Sequence, residues 1–480
     1  MVRPTLDEAR ALSGGGSLIP IALELYADLK TPVEMLRAIM AEGRRAYILE
    51  SAPGGDSWGR YSFLGYDPLM EISGRGRTVR LEQGGAVRTL EGDPQAILKG
   101  IMDDCASPRV EGMPPFAGGF VGYFAYEYVC NAEPSLRLSE NDEIGVDDFR
   151  LMMFDKVIAF DSFRQKISLI ANIRTDSIES SYAEGVARLR EMERLALSGP
   201  PAREARRPAA AFSPSFSEEG FCAAVEKAKA HIREGDIFQC VPSIRFRSAY
   251  GGSLLQPYRK LRTTNPSAHM FYISFDGLEI AGASPETLVS LKDGAVSAWP
   301  LAGTCPRTDD EAESEALVRR MLGDEKELAE HDMLVDLGRN DLGKVCRFGS
   351  VRVEEYRSVR KLSHVCHIAS KVSGELADGV HALDVMAAVL PAGTLSGAPK
   401  KRACEIIDGI EGMRRGPYGG AIGYLDFAGN MDLCIGIRMA VLKDGVAYIQ
   451  AGAGIVADSS PKKEYLECLR KAEAMKEAFA

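Results

Sequence analysis

A short glycine pattern, written twice, constrains this chain more than any other feature. Gly118-Gly-Phe-Val-Gly-Tyr123 returns as Gly419-Gly-Ala-Ile-Gly-Tyr424. The first copy lies in the apolar stretch Phe116–Tyr126, which reads as a strand. Glycine inside a strand marks a bend or a close backbone approach. Two such strands far apart in one chain raise the expectation of an internal duplication. Around them strand-like runs cluster, at residues 46–51, over the alternating stretch 58–91, and twice within 151–175. In the second half they recur at 237–247, 269–276, 278–283, 287–292, 295–299, 433–443 and 446–451.

Helical periodicity is interposed irregularly. It begins after Thr31-Pro32, after a Ser215-x-x-Glu218 capping box and at Pro461, and it covers 178–197, 309–322 and 324–338. Clustered strands with irregular helices predict an α+β fold rather than a regular βαβ repeat. Residues 1–20 read as a loosely held start. Gly199–Ala211 is rich in proline, alanine and charge, with little to bury. It is read as a linker over 199–212, between an N-terminal region at 20–198 and a second region at 213–478.

The formal net charge of −10 comes with no long basic run. That argues against nucleic acid or an anionic membrane as partner. No apolar run reaches the roughly 20 residues a bilayer span needs. The ten cysteines contain no C-x-x-C pair, and the first residues lack a signal-peptide core, so a reducing cytoplasm is the expected location.

The chemistry concentrates in two helices. In Asp324–Leu337, Asp324 caps and Glu327 completes a D-x-x-E box, while Glu327 and Glu330 share a face. The last helix repeats the device with Glu464 and Glu467. Singly, each reads as a solvated acidic turn. Facing one cleft, four carboxylates would need a cation, and oxygen ligands favour Mg²⁺ with an anionic substrate. Ser363-His-Val-Cys-His367 holds two histidines that a strand would point to opposite faces, so one serves as a general base or packs as a core residue. Leu390–Lys400 departs from the phosphate-loop spacing; its N–H groups, with the Thr394 and Ser396 hydroxyls, suit a carboxylate. Gly452-Ala-Gly454 opens G-x-G-x-x-A, but no βαβ unit can follow it, so a backbone nest for a carboxylate is the better reading than a dinucleotide site.

Taken together, the motifs resemble the large, chorismate-binding subunit of anthranilate synthases. They are Gly235–Ser243, Ala283-Ser-Pro-Glu286, Pro300-Leu-Ala-Gly-Thr304, the acidic helix, Ser363–His367, Gly393–Lys400, Arg415–Gly420, Ile437-Arg438 and Gln450–Gly454 with the last helix. The resemblance spans about residues 20–475. It implies two antiparallel sheets packed as a sandwich with helices outside. It also implies a lyase that adds ammonia to chorismate at C2, expels the C4 hydroxyl and eliminates pyruvate to leave anthranilate, with Mg²⁺.

By the same resemblance Glu327, Glu330, Glu464 and Glu467 surround the metal, Glu286 is the general acid and His367 the base. Gly303, Thr304, Thr394, Tyr418, Arg438, Gly452, Ala453, Gly454 and Lys471 line the substrate. Relatives that add water carry lysine where this chain has Gln239; aminodeoxychorismate synthases often carry lysine at Ala302. Both differences favour anthranilate over aminodeoxychorismate or aminodeoxyisochorismate as product. Ammonia would come from glutamine through a separate amidotransferase subunit, in an assembly of two large and two small chains. A feedback site for tryptophan is expected at Leu49, Glu50, Ser51, Pro266, Met270, Phe271 and Cys434, although Ala268 and His269 depart from the family's N-P-S-P-Y-M-F.

Overall fold

In the computed structural model, which describes residues 2–28, 30–51, 59–197, 210–308, 310–361 and 365–480, backbone pairing builds two large sheets. Every strand pair in them is antiparallel. The first sheet is centred on Ala46–Glu50 paired with His269–Phe275. Outward from one side of that pair run Tyr61–Tyr66, Lys156–Asp161, Lys166–Arg174, Leu18–Tyr26 and Val2–Arg3. From the other side run Leu278–Ser284, Met439–Lys443, Val446–Gly452, Ser243–Ala249 and Ser213–Pro214. The two wings use their strands in the same chain order. The second sheet repeats this rule about Gly119–Phe124 paired with Ala421–Asp426. Phe149–Phe154, Met70–Arg75 and Thr78–Gln83 lie on one side, and Met431–Ile435, Thr287–Lys292 and Ala295–Ala298 on the other.

The duplication expected from the glycine pattern is therefore visible in the topology. Gly122 and Gly423 face each other at the centre of the second sheet. A Cβ at Gly122 would stand 2.0 Å from the Arg150 carbonyl, and one at Gly423 2.1 Å from that of Asp432, so the neighbouring strands close only over glycine.

The sheets pack face to face. Tyr47, Val157 and Phe271 of the first meet Tyr123, Phe154 and Ile422 of the second in one buried core. The outer face of the first sheet is covered by helices Pro32–Ala41, Ile178–Leu197, Glu218–Arg233, Leu255–Thr264 and Pro461–Ala478. The outer face of the second carries Pro94–Asp103, Glu325–Gly343 and Ala382–Val389. Burying one apolar face of each sheet and the stripe of each helix yields a four-layer α+β sandwich.

Several local expectations are corrected. The N-terminus is ordered, with a capped helix at Leu6–Leu12 leading into Leu18–Tyr26. The stretch 149–174 holds three strands, not two. Ser217, not Ser215, caps Glu218–Arg233 by accepting from Gly220 N; Ser215 Oγ accepts from Arg245 N instead. Strands Leu301–Pro306, Arg352–Lys361 and Val365–Glu375, and helices Leu255–Thr264 and Ala382–Val389, were not anticipated. Most of the expected linker, 199–209, lies outside the described residues. Both sheets take strands from either side of it.

Candidate active site

Between Ala295–Ala298 and Ala421–Asp426 the second half carries a long insertion that the first half lacks. The insertion supplies the acidic helix Glu325–Gly343 and the ladder of Leu301–Pro306 on Val365–Glu375. The last helix, Pro461–Ala478, supplies the other acidic pair.

Asp324 caps the acidic helix, its Oδ1 accepting from Lys326 N at 3.0 Å and Glu327 N at 3.4 Å. The reciprocal half of the expected capping box is absent, because the Glu327 carboxylate does not return to the cap. It lies over Gly303 instead, where a Cβ would come within 3.2 Å of Glu327 Oε2. Burial raises the Glu327 pKa, followed by the charges of Glu330 and Asp324, with Glu467 adding to them from the last helix. That last influence puts Glu467 close enough for its charge to act on Glu327. Glu464 is likewise raised, first by burial, with Glu467 contributing.

The donor set fits a hard divalent cation: carboxylates only, partly desolvated, two of them held protonation-prone by burial first and like charge second. The four glutamates do not form a closed cage. Among the described residues, three ligand atoms lie within 4.8 Å of one another only at His231, Glu234 and Asp236, where Arg402 already pairs with Asp236 at 2.8 Å. A wider ring suits Mg²⁺, which keeps waters and takes substrate oxygens.

Gln239 joins this group. Its backbone pairs with Ala398, and its Nε2 donates to Glu330 Oε1 at 3.0 Å. Its Oε1 is buried and accepts no hydrogen bond among the described residues. Gly454 makes room for it, since a Cβ there would stand 2.6 Å from Gln239 Nε2. Lys471 Nζ donates to Glu467 Oε1 at 2.7 Å and to the Gly452 carbonyl at 3.0 Å, tying the last helix to the turn through Ala453.

Glu286 is 9% exposed and accepts from Thr394 Oγ1 at 3.0 Å. Burial pushes its pKa up to about 8 against the weaker pull of Thr394 and Lys471, so it holds its proton at neutral pH. A cleft bordered by Leu334, Leu337 and Gly338 of the acidic helix opens beside it.

His367 sits opposite Thr304 in the ladder. A bulge between Ala302 and Thr304 puts Gly303 at φ +68, and its carbonyl meets His367 Nδ1 at 3.2 Å. A protonated Nδ1 donating there leaves Nε2 as the basic nitrogen. Burial lowers the His367 pKa and keeps the ring neutral, with Arg438 adding to it. His364, the other histidine of the motif, lies outside the described residues.

Tyr418 is buried, its hydroxyl 3.0 Å from where a Gly452 Cβ would be. Arg438 adopts φ +50, a strained backbone for a side chain, and is largely desolvated near Tyr418 and Glu467. A half-buried guanidinium beside a phenol suits a carboxylate, whereas Ala453 N in the turn already donates to the Pro242 carbonyl at 3.2 Å.

One hub was not assigned a role from sequence. Arg415, inside the Arg415–Gly420 motif, pairs with Glu411 at 2.5 Å and donates to the carbonyls of Val241 and Leu395. Its guanidinium lies 4.6 Å from the Tyr126 ring and 5.6 Å from that of Tyr418. Glu411 also accepts from Ser243 N and Oγ. The loops bearing Gln239 and Thr394 thus hang on one buried ion pair. In the glycine loop, Ser396 Oγ donates to the Ala392 carbonyl and is fully buried, so it offers nothing to a ligand, contrary to expectation.

The expected feedback residues meet where the first sheet's central strands pair, with Met270 opposite Glu50 and Phe271 opposite Leu49. Phe271 and Cys434 lie in the core between the sheets, and the buried Ser51 Oγ has no hydrogen-bond partner among the described residues. Met270 and Glu50 face the helix layer, where Glu50 accepts from Tyr258 and twice from Arg262. Pro266 is partly buried ahead of that strand.

A family model of chorismate-binding enzymes matches residues 55–477. The anthranilate synthase component 1 of Acetivibrio thermocellus is 43% identical, over 100% of this chain and 99% of that protein. The same component from Pseudomonas aeruginosa is 42% identical, covering 98% of this chain and 97% of its own length. The crystal structure of anthranilate synthase component I from Streptococcus pneumoniae superposes with a TM-score of 0.77 at 38% identity, over 89% of this chain and 93% of the other. MenF, the menaquinone-specific isochorismate synthase of Escherichia coli, shares the fold, with a TM-score of 0.72 at 17% identity over 99% of both chains.

Proposed function

Because the chain belongs to the chorismate-binding enzymes, we propose that it works as the large component of an anthranilate synthase, turning chorismate and ammonia into anthranilate and pyruvate. The observation that carries this reading is that Glu467 links Lys471, which faces a proton-holding Glu286, to Arg438, which faces a neutral His367. The C4 hydroxyl leaves poorly as hydroxide, and Glu286 can protonate it. Once the amine is in place, His367 Nε2 takes the C2 proton, and its electron pair expels pyruvate.

Gln239 supports ammonia as the nucleophile. Water needs a base at this position, and an amide cannot act as one. Ammonia carries its own lone pair, and the unpartnered Gln239 Oε1 offers an acceptor for its N–H. Ala302 offers no amine for a covalent adduct with the ring. Tyr418, Arg438 and the Gly452–Gly454 turn suit the enolpyruvyl carboxylate.

Glu327, Glu330, Glu464 and Glu467 would hold Mg²⁺ together with the ring carboxylate. When bound, the ion withdraws electron density from the ring. Physiologically the ammonia comes from an amidotransferase partner, and tryptophan inhibits through the cluster around Ser51, Phe271 and Cys434. Among the described residues no helix is long and apolar enough to cross a membrane. The test is direct: purified chain with chorismate, Mg²⁺ and ammonium should generate anthranilate fluorescence. A non-fluorescent aminated product would instead indicate an aminodeoxychorismate-type enzyme.

A further inference from the structure

Glu286 sits on a crossover. Strand Leu278–Ser284 ends in the first sheet, and Thr287–Lys292 begins in the second, so Ser284-Pro-Glu-Thr287 bridges the sandwich. A general acid on such a crossover needs bracing from both sides. The backbone brace is clear: Ile435 N donates to the Glu286 carbonyl at 3.0 Å, and Thr287 is opposite Cys434. The side-chain brace comes from elsewhere. His269, opposite Ser284 in the ladder, shares a 2.9 Å hydrogen bond from its Nε2 with Oγ1 of the buried Thr287. His269 belongs to the segment expected to bind tryptophan, and its side chain turns toward the catalytic crossover.

Resting on the reading above, we propose that His269 is a positioning residue for the catalytic acid, fixing the Glu286 crossover through Thr287. Burial pushes the His269 pKa down to about 4, so the ring is neutral throughout the assay range and the bond does not titrate. The groups facing Glu286 itself are Thr394 of the glycine loop and Lys471 of the last helix. Both lie on elements other than the strand His269–Phe275 that carries the His269–Thr287 bond. Loss of that bond therefore acts on Glu286 by position and by access of water, with its polar neighbours left in place.

The test uses the full chain with chorismate, Mg²⁺ and ammonium, comparing wild type with His269→Leu, Thr287→Val and His269→Gln. A displacement near 1 Å costs about 100-fold in rate. His269→Leu and Thr287→Val are expected to lower kcat by about 10- to 100-fold while the KM for chorismate stays within about threefold. Water reaching Glu286 lowers its pKa, so the alkaline limb of the kcat profile should move to lower pH in both variants. His269→Gln, which can still bond Thr287, should recover most of the rate and the wild-type limb. Folded variants with unchanged kcat and limb, or a loss confined to the chorismate KM, would overturn the role of His269. If His269→Leu does not fold, the nearly isosteric Thr287→Val decides alone. An inactive wild type overturns the reaction assignment itself, which separates the two failures.

Discussion

At the scale of single residues, the proposed site rests on two groups whose protonation burial shifts toward the neutral form. Glu286 keeps a proton that an exposed carboxyl would lose, and His367 stays neutral where an exposed ring would be partly charged. Removing the acid, as in Glu286→Gln, should cut kcat by about 10²–10⁴-fold. The same change should stabilise the fold. The folded-state pKa of Glu286 is raised, so the native protein binds the proton more tightly than the unfolded chain. Stability therefore falls as pH rises from about 4.5 to about 8. The Tm of Glu286→Gln should pull ahead of wild type across that window and keep a constant lead above it, as thermal unfolding at several pH values would show. His367→Met should stop the reaction after amination. Chromatography of the products would then show the aminated intermediate, and loss of ammonia addition instead would sink the assignment of His367 as base.

At the scale of elements, two helices carry the four glutamates, while the loops bearing Gln239 and Thr394 are held by the Arg415–Glu411 pair. Arg415→Met should lower stability by about 3–5 kcal/mol, because it strands a buried carboxylate. Chemical denaturation would measure it. Glu411 and Arg415 are spaced i and i+4 and read on paper as an ordinary surface pair; only the fold buries both.

The same limit explains what could be read in advance. Strongly periodic helices such as Ile178–Leu197 and Glu325–Gly343 were legible to within a few residues, because caps and apolar spacing are local. The long ladder of Arg352–Lys361 on Val365–Glu375 was not, since its charged, bulged outer strand shows no clean alternation. The four glutamates were named because two helices repeat one spacing. Capping and metal binding compete for Glu327 on paper; its carboxylate is found over Gly303, a contact between residues with no local signal in common.

At the scale of the molecule, two similar halves share both sheets, and all the residues proposed for catalysis lie in the second. The first half ends its inner wing with short connections where the second inserts residues 299–420. Chains cut within 199–209 should therefore not fold separately, because each half would expose two long strand edges. Co-expressed pieces should co-purify and recover ammonia-dependent activity, which gel filtration and the fluorescence assay would report. Activity from residues 210–480 alone would refute this.

The pairing of Gly119–Phe124 with Ala421–Asp426 also sets a timetable. The first of these strands leaves the ribosome roughly 300 residues before its neighbour exists, which at about 5–20 residues per second is some tens of seconds. For that interval a flat, apolar edge has nothing to pair with, and slow, distant pairing of this kind is prone to go astray. Yield in a cell should thus depend on what shelters the nascent first half as well as on the stability of the finished sandwich.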